Sequence, residues 1–219
     1  MKKILLSLLL VSITLFSFAK KNKNKFVEIV TNKGTIKIEV FADVEQHAKN
    51  FLKLAADGFY DSLLFHRVIP GFMIQGGDPT SKNAVNGGML GNGGDAEHMI
   101  PAEFRLPTYY HKKGALAAAR TNNPEKASSS CQFYVVVGKT YSDADITGME
   151  TKTGVKYSEQ ARKDYKTVGG TPFLDGAYTV FGQVVSGQEV VDAIAVVPAD
   201  GNNRPKENVI ILSVKVKKH

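Results

Sequence analysis

The sequence predicts a mainly β, antiparallel fold, a barrel or sandwich carrying two helices, and three observations lead there. Two segments with strict apolar–polar alternation flank an Asn-Lys-Gly turn between residues 26 and 41. From residue 62 to 138 the apolar runs are short and separated by glycine, proline and asparagine, which suits strands better than a helical bundle. Helical periodicity is confined to one stretch near the start and one near the end.

Taken in order, residues 1–19, MKKILLSLLLVSITLFSFA, set two lysines before an apolar run and close it with Ser17 and Ala19 at signal-peptidase spacing. The run is short for a membrane span, holds Ser12, Thr14 and Ser17, and is followed by no second apolar span. We therefore expect a cleaved signal peptide and an exported protein, periplasmic or secreted. No cysteine lies near the cleavage site, so lipid attachment there is excluded chemically. Residues 20–25, KKNKNK, read as a basic flexible leader, and residues 26–219 as one domain.

FVEIVTN (26–32) and GTIKIEVF (34–41) form the predicted hairpin with one buried face. VEQHAKNFLKLAADGFY (44–60) places Ala48, Phe51, Leu52 and Ala55 on one helical stripe, with Gly58 as the stop. LLFHRVI, GFMIQGG, GALAAAR and CQFYVVVG follow as strands. Residues 139–171 break the rhythm: they are polar, with six basic and five acidic residues, and SEQARKDYK could form a short helix. This segment reads as a surface insertion, a solvated embellishment in preference to a partner surface. YTVFGQVV, the helix GQEVVDAIAVV and the strand NVIILSVKV complete the chain.

Composition narrows the chemistry. The formal net charge of +7 falls to +5 without Lys2 and Lys3, and the basic excess sits at the ends, not interleaved with aromatics, so nucleic acid is not an expected partner. Cys131, the sole cysteine, permits no internal disulfide and lies in an incipient strand, where packing is its expected role. None of His47, His66, His98, His111 and His219 is paired at the i, i+4 spacing of a helical zinc site, so neither metal nor cofactor is expected. GGMLGNGGD (87–95) lacks the Gly-Lys-Ser/Thr ending of a phosphate loop and reads as a flexible loop. Ser128 to Ser130 leave a Ser-His-Asp site open, although no Gly-x-Ser-x-Gly elbow is present. One stretch, FHRVIPGFMIQGG (65–77), instead sets a lone arginine among aromatics, a methionine and a glutamine, with no carboxylate.

FHRVIPGFMIQGGD, followed in order by GALAAARTNNPEKASSSCQFYVV and TPFLDGAYTVFGQVVSG, resembles the cyclophilin family of peptidyl-prolyl cis-trans isomerases from about residue 26 to 216. The resemblance implies a closed eight-stranded antiparallel barrel capped by two α-helices. It implies that Arg67 is the essential arginine, that Phe72, Met73, Tyr134 and Leu174 shape a proline pocket, and that Gln75 braces the arginine and meets the substrate backbone. Ala119 and Gln132 would line the groove, and His66 would border the pocket. Phe173 stands where the family often has tryptophan and Tyr178 where it has a rim histidine; the lost indole N–H weakens the expected cyclosporin site, while isomerisation does not need it. Proline-containing polypeptides are the implied partners of a monomeric enzyme using no covalent intermediate, with a non-catalytic peptide-binding module or holdase as the alternative. Strand alternation would put Phe72 and Met73 on opposite faces, so a bend is expected near Gly71.

Overall fold

The structure is a computed structural model that describes residues 23–85, 88–94 and 98–217. The predicted signal peptide, 1–19, lies outside the described residues.

Eight antiparallel strands form one curled sheet. β1 (Lys25–Thr31) and β2 (Gly34–Val40) make the expected hairpin, with Val27, Ile29, Ile36 and Ile38 wholly buried on its inner face. β3 (Arg67–Ile69), β4 (Met73–Gly76), β5 (Ala115–Ala118), β6 (Phe133–Val136), β7 (Val180–Ser186) and β8 (Ile211–Lys217) complete the order β3-β4-β6-β5-β7-β2-β1-β8. The expected closed barrel is corrected to an open half-barrel. Its edge strands β3 and β8 are not laddered to each other, and the seam has a single antiparallel bridge, Leu64 to Ile210, with backbone hydrogen bonds from residues 62–65. Ser62, at φ 69°, turns the chain there, so no continuous strand runs along β8.

Two helices pack on the sheet as expected: α1 (Glu45–Ala56) and the later helix Gln188–Ala195, named α4 below. The buried stripe of α1 is His47, Ala48, Phe51 and Ala55. Its own N-cap, Val44, offers no side-chain acceptor, so the orphan N–H groups of the first turn find one elsewhere. Glu103 accepts from the backbone of Gln46 at 3.1 Å and of His47 at 3.0 Å, and its charge suits the positive end of the helix.

The helix count needs correcting, for one helix of the insertion is unexpected, while the other falls on SEQARKDYK. Residues 139–171 contain two helices, α2 (Asp143–Thr153) and α3 (Glu159–Thr167), which bring the total to four among the described residues. A capping box between Ser142 and Asp145 starts α2, and Gly154 at φ 74° ends it. Most of the segment is exposed, as a surface insertion should be, but it has a small core of its own, in which Ile146, Tyr157, Ala161 and Tyr165 pack with Tyr110 of the main domain. Lys139 and Gly170 exchange backbone hydrogen bonds at 3.3 and 3.0 Å, which pinches the segment at its base. The leader also differs from expectation at its end: β1 begins at Lys25, and Asn24 is tied to Glu39 and to the Ala42 backbone.

Candidate active site

The β3–β4 hairpin resolves the alternation problem posed by Phe72 and Met73. Phe72 N–H donates to the Ile69 carbonyl at 3.1 Å, and Gly71 between them takes φ 69°, a turn with Pro70 and Gly71 at its centre. Phe72 therefore precedes the strand. From Met73 onward alternation is regular: Ile74 enters the main core, while Met73 packs on the opposite face with Ala115, Ala117, Ala119 and Tyr134.

Strand register then builds the site. Arg67 pairs with Gln75 across β3–β4, Gln75 with Tyr134 across β4–β6, and Tyr134 with Ala117 across β6–β5, so cation, amide and aromatic stand in one row on one face. The small side chain of Ala119 lines a hollow beside this row.

A groove of about 430 Å³ results, lined by His66, Arg67, Phe72, Met73, Gln75, Ala119, Tyr134, Leu174 and Tyr178 from among the sequence-predicted residues. Two predicted residues stand outside its wall. Phe173 is exposed, with its ring centroid 5.8 Å from that of Phe72, and Gln132 borders an adjoining hollow of about 190 Å³. The groove also takes in residues that sequence reasoning missed: Gly88 to Asn92, Arg120, Asp200, Asn202 and Arg204. Arg120 sits 4.6 Å over the Tyr178 ring and donates to the Ala177 carbonyl. The only sequence signal for the 88–92 wall is its glycines, and its described part is tied down: Asp78 accepts from the Gly91 N–H, and Gln132 donates to the Gly91 and Gly93 carbonyls.

Hydrogen bonds fix the polar groups in sequence. Arg67 Nη1 donates to Gln75 Oε1 at 3.3 Å, Gln75 Nε2 donates to Gln132 Oε1 at 2.9 Å, and Gln132 passes its own N–H to the loop. Each amide thereby has one sensible orientation. Among the described residues no carboxylate forms a salt bridge with Arg67. His66 is buried, neither ring nitrogen has a hydrogen-bond partner among the described residues, and burial pushes its pKa down to about 4. Burial also pushes the Tyr134 hydroxyl well above the usual tyrosine range. Around Arg67 the wall thus offers amides and apolar surface, and Asp200 is the carboxylate among the described residues that line the groove.

The hydrolytic alternative has a visible structural counterpart. His47 Nδ1 lies 2.6 Å from Glu103 Oε2, and its Nε2 3.0 Å from Ser128 Oγ. Ser128 is only 1% exposed and His47 2%, so no substrate reaches the hydroxyl, and the trio ties α1 to the segments around Glu103 and Ser128 instead. Among the described residues no group of three or more His, Cys, Asp or Glu side chains is placed to hold a metal ion. No helix among them is long and apolar enough to cross a membrane. Cys131 is buried, in keeping with a packing role.

A guanidinium braced by an amide beside a wall of Phe72, Met73, Tyr134 and Leu174 is the arrangement expected of an enzyme that turns an imide bond without breaking it. The family model described as cyclophilin type peptidyl-prolyl cis-trans isomerase matches residues 26–216, and the chain belongs to that family. It is 35% identical over 191 residues to a Staphylococcus haemolyticus protein named "Putative peptidyl-prolyl cis-trans isomerase", covering 87% of this chain and 90% of the relative. A Streptococcus pyogenes protein, "Putative bifunctional phosphatase/peptidyl-prolyl cis-trans isomerase", is 36% identical over 197 residues; the match takes 87% of this chain but only 38% of that longer protein. Among solved structures, a cyclophilin type peptidyl-prolyl cis-trans isomerase from Cryptosporidium parvum superposes with a TM-score of 0.67 at 26% identity, over 90% of this chain and 99% of that one. The same parasite protein has also been crystallised in the presence of the dipeptide Ala-Pro, with a TM-score of 0.66.

Proposed function

We propose that this chain is an exported isomerase that speeds rotation about X-Pro bonds in folding polypeptides, with Arg67 supplying the decisive interaction. An amide resists rotation by about 18–20 kcal/mol because the nitrogen lone pair is shared with the carbonyl. Before proline both isomers are populated and exchange over tens of seconds or more. At the twisted midpoint that sharing is lost, and the prolyl nitrogen becomes an acceptor that neither planar isomer offers. A guanidinium beside it favours the midpoint over both end states, which is the condition for catalysis.

One such contact contributes roughly 3–4 kcal/mol, by comparison with preorganised oxyanion donors. Confinement supplies more. Phe72, Met73, Tyr134 and Leu174 would clasp the pyrrolidine ring while Gln75 holds the peptide backbone, leaving the reacting bond as the free rotor. The Ala-Pro dipeptide used with the parasite homologue fits this reading. Export is supported by the lysine-headed apolar leader, and clients would then be secreted or envelope proteins carrying proline. The enzyme would act as a monomer, with cyclosporin held weakly at best because Phe173 has no N–H.

The observation carrying the proposal is the Arg67–Gln75–Tyr134 row on the groove wall, beside Phe72, Met73 and Leu174. Its test is a protease-coupled assay on an Ala-Pro peptide: accelerated cis-to-trans conversion is expected. Peptide binding without acceleration would mean a holdase that uses the same groove.

A further inference from the structure

The pocket wall at Tyr134 is held from outside the site. Tyr134 Oη lies 3.0 Å from His111 Nε2, His111 Nδ1 lies 2.6 Å from Asp175 Oδ1, and Asp175 Oδ2 accepts from the Tyr165 hydroxyl at 2.5 Å. All four side chains are buried. The His111 and Tyr134 rings lie nearly parallel, 14° apart. Asp175 also accepts the His111 backbone N–H at 2.9 Å, so one carboxylate fixes both the main chain and the ring of this histidine.

Donor and acceptor roles follow in order along the chain. Asp175 can only accept, so His111 Nδ1 carries a hydrogen; in the neutral ring Nε2 is then an acceptor, and the Tyr134 hydroxyl donates to it. Tyr165 belongs to α3, in the 139–171 segment. We infer that this segment braces the proline pocket, with His111, Asp175 and Tyr165 as positioning residues that hold Tyr134 against the substrate ring. A second bond from the segment points the same way: the Tyr157 hydroxyl donates at 2.8 Å to the Pro172 carbonyl, in the turn that carries Leu174.

The physical reason for a brace is that a buried tyrosine wall stays in one place only while its hydroxyl is satisfied. A cut at His111 leaves the hydroxyl to turn away or stay unpaired, and a cut at Tyr165 frees one oxygen of the carboxylate that aims His111, so the ring at 134 shifts from the geometry that confines rotation.

This inference rests on the isomerase reading, and a double-mutant cycle with Tyr165→Phe and Tyr134→Phe keeps the two separable. Tyr165→Phe preserves the ring and its packing, and kcat/KM should fall about three- to ten-fold, the size of effect expected of a displaced pocket wall. Once Tyr134→Phe has removed the held hydroxyl, the same change at 165 should cost less than about 1.5-fold, a coupling that independent structural damage would not give. Losses that simply multiply, or a Tyr165→Phe enzyme as active as wild type, would overturn the brace while leaving the isomerase reading intact. Imidazole ¹⁵N spectra of the wild-type protein give a check that needs neither mutant folding nor turnover. A proton on His111 Nδ1 is expected, and a neutral ring protonated on Nε2 would contradict the chain of bonds.

Discussion

Gln75 stands directly across the β3–β4 ladder from Arg67 and accepts a hydrogen bond from its guanidinium at 3.3 Å. The second half of the same amide is held by Gln132 at 2.9 Å, so the cation is steered by a partner that is itself fixed. A carboxylate in that place would draw the guanidinium into an ion pair and blunt its pull on a developing lone pair. Gln75→Leu keeps the volume but removes the acceptor. It should lower kcat/KM by about ten-fold or more, as expected for a loosened catalytic contact, with the melting temperature nearly unchanged. Paired kinetic and thermal measurements on the one variant check this.

The pH behaviour of activity and of stability should diverge. A guanidinium does not deprotonate in proteins, so turnover should be flat from about pH 6 to 9, and a bell-shaped profile would indicate proton transfer. Stability should not be flat lower down. His66 is pushed down to about 4 by burial, whereas in the unfolded chain it takes up its proton near 6.5. The unfolded state therefore binds more protons between those values, and stability falls as pH drops through that window, by at most about 3 kcal/mol from this residue. His47, also lowered by burial, adds in the same direction. Denaturant titrations from pH 7 to 4 should show the decline, and His66→Gln should make it shallower.

The Ser128–His47–Glu103 trio should matter to folding and not to turnover. Ser128→Ala should leave isomerisation within about two-fold of wild type, the scatter expected when transition-state contacts are untouched. Glu103→Ala removes the acceptor for two N–H groups of α1 and leaves His47 without its carboxylate, a loss of about 1–3 kcal/mol. For a domain of this size that corresponds to a melting temperature lower by about 3–10 °C.

Gly138 tests the clasp at the base of the 139–171 segment. Its φ is 64°, and an added Cβ would fall 2.5 Å from the Gly170 Cα, a backbone atom that no rotamer change can move aside. Gly138→Ala should therefore cost about 2 kcal/mol or more through strain and overlap. A calorimetric scan showing wild-type stability would mean that the clasp opens freely.

The readable and unreadable parts of this chain divide along physical lines. Strand alternation at 26–41 and the helical stripe Ala48–Phe51–Ala55 are local signals, and both appear in the structure as expected. Gly71 next to Phe72 announced the turn that frees the aromatic from the strand. Barrel closure was not legible, because it depends on whether residues 62–66 lie along β8, a pairing of distant segments that leaves no period in either one. The packing of 139–171 was hidden by its polar surface, since its buried residues, Ile146, Tyr157, Ala161 and Tyr165, are spread over two short helices and the turn between them. His111 and Asp175 were unreadable for a similar reason. They are 64 residues apart, and nothing in either neighbourhood names the other as partner.

Arg67→Ala is the most direct measurement of whether a fixed cation lowers the rotational barrier. With circular dichroism and thermal melting matching wild type, kcat/KM on an Ala-Pro peptide should fall by about two to three powers of ten, the rate equivalent of one lost transition-state contact. A variant that stays within about three-fold of wild type would contradict the account, because that is under 1 kcal/mol and leaves the guanidinium no catalytic role.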